Sequence, residues 1–196
     1  FDGLAGHYDE VFLPLHGAHQ AQNAAAALAA VEAFLGGGRD ALDPDAVRAA
    51  FARAGSPGRL EVLRRSPTVL VDAAHNPAGA RALADALTDE FAFSSLVAVV
   101  AALRDKDVRG ILEALEPVVE AIVATENSSP RALAVDDLAM LALEVLGEGR
   151  VHRGATLPDA IAGWRPALGR PPPELGADGG LHHAGHRRER LGTAPA

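Results

Sequence analysis

Cysteine is absent from all 196 residues, lysine occurs once, and aromatic residues make up only 4% of the chain. Without cysteine there is no disulfide, no thiolate nucleophile and no zinc–thiolate site, a composition that suits the cytoplasm. With so few rings, aliphatic side chains must fill any core, and a hydrophobic content of 48% is ample for that. No strictly apolar run is longer than that of residues 24–31, far short of the roughly 20 residues that span a bilayer. No basic-plus-apolar targeting segment opens the chain either. The 26 acidic side chains outnumber the 18 basic ones, and the resulting charge of −8 opposes nonspecific binding to nucleic-acid phosphates. A cytoplasmic protein with neither a nucleic-acid nor a membrane partner is expected. Because the first residue is Phe1 rather than methionine, the chain is expected to be an internal or C-terminal piece.

The single lysine, Lys106, has a further consequence. A phosphate-cradling loop of the Walker type needs Gly-x-x-x-x-Gly-Lys-Ser/Thr, and Lys106 follows Leu103-Arg104-Asp105 instead. Gly36-Gly37-Gly38-Arg39 has the glycines without the lysine and ends a helix. This stretch of polypeptide is therefore not expected to hold a nucleotide triphosphate by that device.

Two regimes are visible in the pattern of residues. An alanine-rich helix is expected over residues 19–35, after an extended segment at 11–15, and a second helix opens at Asp43-Pro44 with an N-cap followed by proline. From Leu60 onward, apolar runs alternate with helical stretches. Strands are expected at 60–63 and 68–72, joined by the turn Arg64-Arg65-Ser66-Pro67 as a hairpin-like pair, and at 96–101, 121–125 and 150–152. The helices between them begin at Pro77, Asp107 and Val135 or Asp136, and a final helical turn is expected at 158–164. Alternation of this kind indicates an α/β fold, a Rossmann-like mixed, mostly parallel sheet flanked by helices. The strand at 96–101 is expected to be buried on both faces. Residues 165–196, with Pro171-Pro172-Pro173, many glycines and His182, His183 and His186, read as a disordered tail. A metal site built on those histidines is disfavoured, because no acidic or cysteine partner accompanies them.

Two linked strings carry the chemistry. Ser56-Pro57-Gly58-Arg59-Leu60-Glu61 lies one short strand upstream of Val69-Leu70-Val71-Asp72-Ala73-Ala74-His75-Asn76-Pro77. Open α/β sheets bind ligands at the ends of their strands, an aspartate there can accept from hydroxyl groups, and a helix N-terminus favours anions. Arg59 can clamp phosphate oxygens with two parallel hydrogen bonds, or it can simply pair with Glu61. Asp72 and Asn76 can equally be turn and cap residues, with His75 as a satisfied turn residue. Arg104-Asp105-Lys106-Asp107 is best read as a solvated loop that caps the following helix, and Ser128-Ser129-Pro130-Arg131 as an entry to the next one.

Together with Gly17-Ala18-His19-Gln20-Ala21-Gln22-Asn23-Ala24, these strings resemble the folylpolyglutamate synthase/dihydrofolate synthase family of the Mur ligase superfamily. The resemblance runs from about Val11 to about Ala162. It implies that residues 1–55 end a central ATPase domain, 56–164 form the Mur ligase C-terminal domain, and 165–196 are a divergent tail. It further implies an ATP-dependent ligase that joins L-glutamate to folate or dihydropteroate through an acyl phosphate. Asn23, Arg59 and Asp72 would contact ATP and His75 the incoming glutamate, while no catalytic nucleophile, base or metal ligand is assignable here. ATP and Mg2+ would be held mainly by the missing N-terminal ATPase domain, so that the fragment alone is inactive and, like its family, monomeric. Where family members finish with an apolar strand and a Thr-Gly-Ser-like turn, this chain has Gly179-Gly180-Leu181-His182-His183, and neither feature is recognisable. A Mur-type ligase acting on peptidoglycan precursors and a non-catalytic nucleotide- or carboxylate-binding module are the alternatives. The strings His19-Gln20 and His75-Asn76-Pro77 look more like the folate branch than the cell-wall branch, and the missing phosphate loop keeps the module in play.

Overall fold

The computed structural model describes residues 1–66, 68–158 and 160, and divides into two compact units, Phe1–Glu61 and a second beginning at Val62. The first unit contains α1 (Ala18–Gly36) and α2 (Pro44–Phe51). Alanine, the residue that loses least on entering a helix, fills much of α1, which ends on Gly37 in a left-handed conformation. Asp43 caps α2, accepting from the Asp45 N–H at 3.0 Å. The core of this unit is small: Tyr8, Leu28 and Val47 are buried, with Phe1, Val11, Leu42 and Phe51 packed against them. The extended segment at 11–15 forms no strand.

The second unit alternates strand and helix: β1 (Glu61–Arg65), β2 (Thr68–Val71), α3 (Pro77–Glu90), β3 (Val97–Val100), α4 (Val108–Leu115), β4 (Ala121–Ala124), α5 (Val135–Leu146) and β5 (Val151–Arg153). The order β3-β4-β5 forms a parallel sheet, with Val97 opposite Ala121 and Ile122 opposite Val151. Each parallel neighbour is reached through a helical crossover, as parallel pairing requires. β4 is central and all four of its residues are buried. Ile122, Val123, Leu112, Leu138, Ala139 and Ala142 have essentially no exposed surface, so β4 is packed on both faces.

β1 and β2 pair with each other, as expected of two strands joined by a tight turn, and form a sheet of their own among the described residues. The short connection after Arg65 couples these two strands directly, whereas β3 to β5 are spaced by helices. One expectation needs correction: β3 is less covered than a strand buried on both faces, since only Val97 is fully buried and Ala98, Val99 and Val100 are half-buried. β2, which ends just before Asp72, is likewise half-buried along Thr68 to Leu70 and exposed at Val71. Most of the 158–164 turn and the whole of 165–196 lie outside the described residues.

Candidate functional site

The chemistry-bearing loop of the second unit follows β2. Asp72 folds the chain back on itself, its Oδ1 accepting from the Ala74 N–H at 2.7 Å. His75 is exposed, and its Nδ1 lies 3.0 Å from the Ala73 carbonyl oxygen. Since a carbonyl can only accept, Nδ1 carries the proton, and the neutral ring then presents a lone pair at Nε2. Asn76 caps α3, accepting from the Gly79 N–H at 2.8 Å, and Pro77 occupies the first helical position. The turn-and-cap roles of Asp72 and Asn76 are thus realised, and they fix the loop that carries His75.

A second loop stands beside this one. A Cβ built on Gly110, in the first turn of α4, would lie 2.7 Å from the Pro77 ring and 2.7 Å from Asp107 Oδ2. The starts of α3 and α4 are therefore in close packing, which brings the loop after β3 next to the loop after β2. Asp107 caps α4, accepting from the Gly110 N–H at 3.0 Å. Arg104 is spent on structure: its Nη2 donates to the Pro130 and Ala132 carbonyls at 3.0 and 3.3 Å, while its backbone N–H reaches Arg131. Arg131 and Lys106 both face Asp105, at 3.5 and 3.7 Å. These exposed or half-exposed pairs are worth little individually. The loop after β3 is the solvated helix cap expected, with the addition that it is knitted to the loop after β4. Ser129-Pro130-Arg131 turns through Ser129, whose side chain accepts from Arg131 N–H at 3.2 Å, and α5 begins only at Val135. That string is a turn, not the helix entry itself.

In the first unit, Asn23 is exposed on the second turn of α1 and donates from Nδ2 to the Gln20 side chain at 3.1 Å. Arg59 closes the same unit and is exposed, with no ion pair among the described residues. The suggested pairing with Glu61 does not form. Glu61 instead accepts from the Gly58 N–H at 2.8 Å and so ties off the turn. Gly58 has φ 71°, a conformation glycine adopts freely, and the following Leu60 has φ 46° while 98% of its surface is buried. A leucine held left-handed costs of order 1–3 kcal/mol, which persists only where the surroundings enforce it. The backbone on both sides of Arg59 is thus pinned. Sequence patterns had no signal for this, because leucine normally avoids that region. Asn23 and Arg59 belong to one unit, whereas Asp72 and His75 share a single loop of the other.

Among the described residues no group of three or more His, Asp or Glu side chains could hold a metal ion. The described residues therefore do not make a Mg2+ site.

Residues 58–169 match the model of the Mur ligase glutamate ligase domain, more than half of the chain. The chain belongs to the Mur ligase family. Within that family it is 59% identical over 160 residues to the dihydrofolate synthase/folylpolyglutamate synthase of Mycobacterium tuberculosis, covering 81% of this chain and 33% of that protein. The corresponding Bacillus subtilis protein is 34% identical over 131 residues, covering 67% of this chain and 30% of its own length. A solved structure of the Mycobacterium tuberculosis folylpolyglutamate synthase complexed with ADP superposes with a TM-score of 0.79 at 58% identity, covering 82% of this chain and 35% of that one. The chain thus spans about a third of the length of the relatives it matches.

Proposed function

We propose that this chain is the C-terminal part of an ATP-dependent ligase that adds L-glutamate to folate or dihydropteroate. The observation that carries this reading is the 59% identity to a folate-ligase relative across both units. It favours the folate branch over the cell-wall branch. The reaction passes the γ-phosphoryl group of ATP to a substrate carboxylate, giving an acyl phosphate and ADP. The glutamate amine then attacks the acyl carbon, the C–O bond to phosphate breaks, and the nitrogen loses a proton as the amide forms.

In this reading Arg59, on its pinned turn, offsets charge on the phosphoryl oxygens, the usual electrostatic contribution to phosphoryl transfer. Asn23 contacts the adenine end of the nucleotide and Asp72 the ribose hydroxyls. His75 meets the incoming glutamate. With Nδ1–H committed to Ala73, it does so as an imidazolium toward a carboxylate or as a neutral Nε2 acceptor toward the amine. Mg2+ and most of the ATP-binding apparatus belong to the preceding ATPase domain, of which residues 1–55 are the end. Support for that assignment comes from α1, whose outward surface has no charge: Ala26, Ala27, Ala30 and Ala33 are exposed together with Val31, Phe34 (88% exposed) and Leu35. A helix stretch whose outward face is apolar as well belongs in a core, and the preceding polypeptide of the ligase is what would cover it. The ligase is read as a cytoplasmic monomer.

A chimera tests this directly. Residues 1–160 replace the matching segment of the Mycobacterium tuberculosis synthase, and glutamate-dependent phosphate release is followed. Activity is expected, with Arg59→Ala lowering turnover by at least tenfold while the melting temperature is unchanged. Normal turnover in that variant removes the phosphate role. The 196-residue chain alone is expected to be inactive, and glutamate addition by it would overturn the domain assignment.

A further inference from the structure

Glu32 is the one charged residue of the 19-residue α1, and it is completely buried. No cation stands among its partners. Oε1 accepts from the Tyr8 hydroxyl at 2.6 Å and from the Gly6 N–H at 3.1 Å, and Oε2 accepts from the N–H groups of Leu4 and of Ala5, the latter at 3.3 Å. Three consecutive backbone N–H groups thus converge on one carboxylate, an arrangement that makes an anion-binding concavity from peptide dipoles alone. The turn is closed by Gly3 N–H donating to the Gly6 carbonyl at 2.8 Å. Both glycines are required by space: a Cβ on Gly3 would overlap the Glu32 carboxylate, and one on Gly6 would lie 2.6 Å from the Tyr8 hydroxyl oxygen. The Tyr8 hydroxyl also accepts from the Leu42 N–H at 2.8 Å, so the stretch between α1 and α2 is tied to the same point.

We propose that the turn Gly3-Leu4-Ala5-Gly6 is a carboxylate-binding nest, with Glu32 as its resident ligand, and that this contact latches the first segment of the chain onto α1. The nest recognises a carboxylate by charge and by two oxygens in one plane, so a small carboxylate such as formate is the ligand it takes once Glu32 is removed. A buried carboxylate without a cation is costly and persists only where charge-assisted hydrogen bonds compensate it. The ionised form is the favoured one here: the Tyr8 hydroxyl and the three N–H groups hold Glu32 below the ordinary carboxylate range. Among the described residues Tyr8 is the only titratable group bonded to it. Of the other titratable side chains before α1, Asp2, His7 and Asp9 are exposed and bonded together, with His7 at 2.6 Å from Asp2 and 2.8 Å from Asp9.

The experiment uses the 196-residue chain and two readouts. In the wild type, the amide protons of Leu4, Ala5 and Gly6 are followed by NMR alongside the Glu32 carboxyl carbon as pH falls. All three are expected downfield at neutral pH, moving upfield together with protonation of Glu32. In Glu32→Ala they are expected upfield at every pH. Formate should then restore them saturably and raise the melting temperature, with chloride at equal ionic strength doing neither. Glu32→Gln turns an N–H toward the nest, so formate should leave it unchanged. Gly3→Ala should be destabilising in the wild type yet nearly neutral in Glu32→Ala, because the colliding carboxylate is gone. Amides indifferent to Glu32 protonation, or a folded Glu32→Ala on which formate acts no better than chloride, would overturn the nest. If Glu32→Ala does not fold, the wild-type titration decides alone.

Discussion

In the first unit the longest helix carries one charged side chain and hides it, whereas in the second no described charged side chain is buried and the core is aliphatic. The first unit assembles three segments about a polar point, Glu32 and Tyr8, beside a small cluster in which Tyr8, Leu28 and Val47 are buried. The second buries all four residues of β4, and the buried faces of α4 and α5 are Val, Ile, Leu and Ala. Directional contacts specify one arrangement but lose most of their value when a single partner is missing. Aliphatic packing is graded and costs in proportion to what is removed. The two units should therefore fail in different ways.

The largest expected effect is in the second unit. Ile122→Ala empties the middle of β4, whose side chain is wholly buried, and should cost about 2–5 kcal/mol in denaturant unfolding. Signals from Tyr8, in the first unit, should be unaffected by it. If they collapse together with the sheet, the two units are not separate.

Acid should reverse the asymmetry. Glu32 has a folded-state pKa lowered from its ordinary 4.5, so its contribution is complete above that value and is lost as pH falls through the lower folded one. Tyr8, raised from 10.0 by desolvation and then by Glu32, contributes fully below 10.0 and loses that contribution as pH rises through the raised value. Tyr8 fluorescence should therefore change at both extremes before the far-ultraviolet signal of the α/β layer does. Simultaneous transitions would remove the contrast.

Arg150 offers a smaller, sharper test within the second unit. Its guanidinium donates to the carbonyls of Glu116, Val119 and Glu120 at 2.9, 2.7 and 3.1 Å and pairs with the Glu116 carboxylate at 2.5 Å. It thereby satisfies the end of α4 where the chain turns into β4. Arg150→Ala should cost about 1.5–3 kcal/mol, the range for hydrogen bonds to a charged group. Loss of the N-cap in Asn76→Ala should cost about 1 kcal/mol by thermal unfolding. The exposed Arg48–Asp45 pair on α2, at 2.9 Å, should contribute less than about 0.5 kcal/mol in a double-mutant cycle.

Much of this was legible in the residues. Asp43-Pro44, Asn76-Pro77 and Asp107 mark helix starts because a short polar side chain can satisfy an orphan N–H, a requirement local to four residues. The helix α1 and the strands β3 to β5 follow from composition and period. The β1–β2 pair was legible too, because a short turn joins two strand-like runs, but the partial exposure of β3 was not, since it depends on which distant segment covers its face. Arg59 and His75 stood out by motif, yet the left-handed Leu60 beside one and the Nδ1–H tautomer of the other had no signal in the string of letters. Glu32 did carry a faint one: a lone charge in an alanine-rich helix, with a Gly-x-x-Gly turn and a tyrosine upstream.

By itself, then, the sequence determined where the helices and strands lie, that the chain has no phosphate loop of its own, and which family it belongs to. These are properties of neighbouring residues, or of strings that survive intact in relatives. Only the tertiary structure decided that a glutamate on a helix would be an internal ligand for a turn some 27 residues earlier. Hydrogen bonding of that kind is fixed by three-dimensional approach, and no local pattern encodes which donors will be brought within 3 Å of which acceptor.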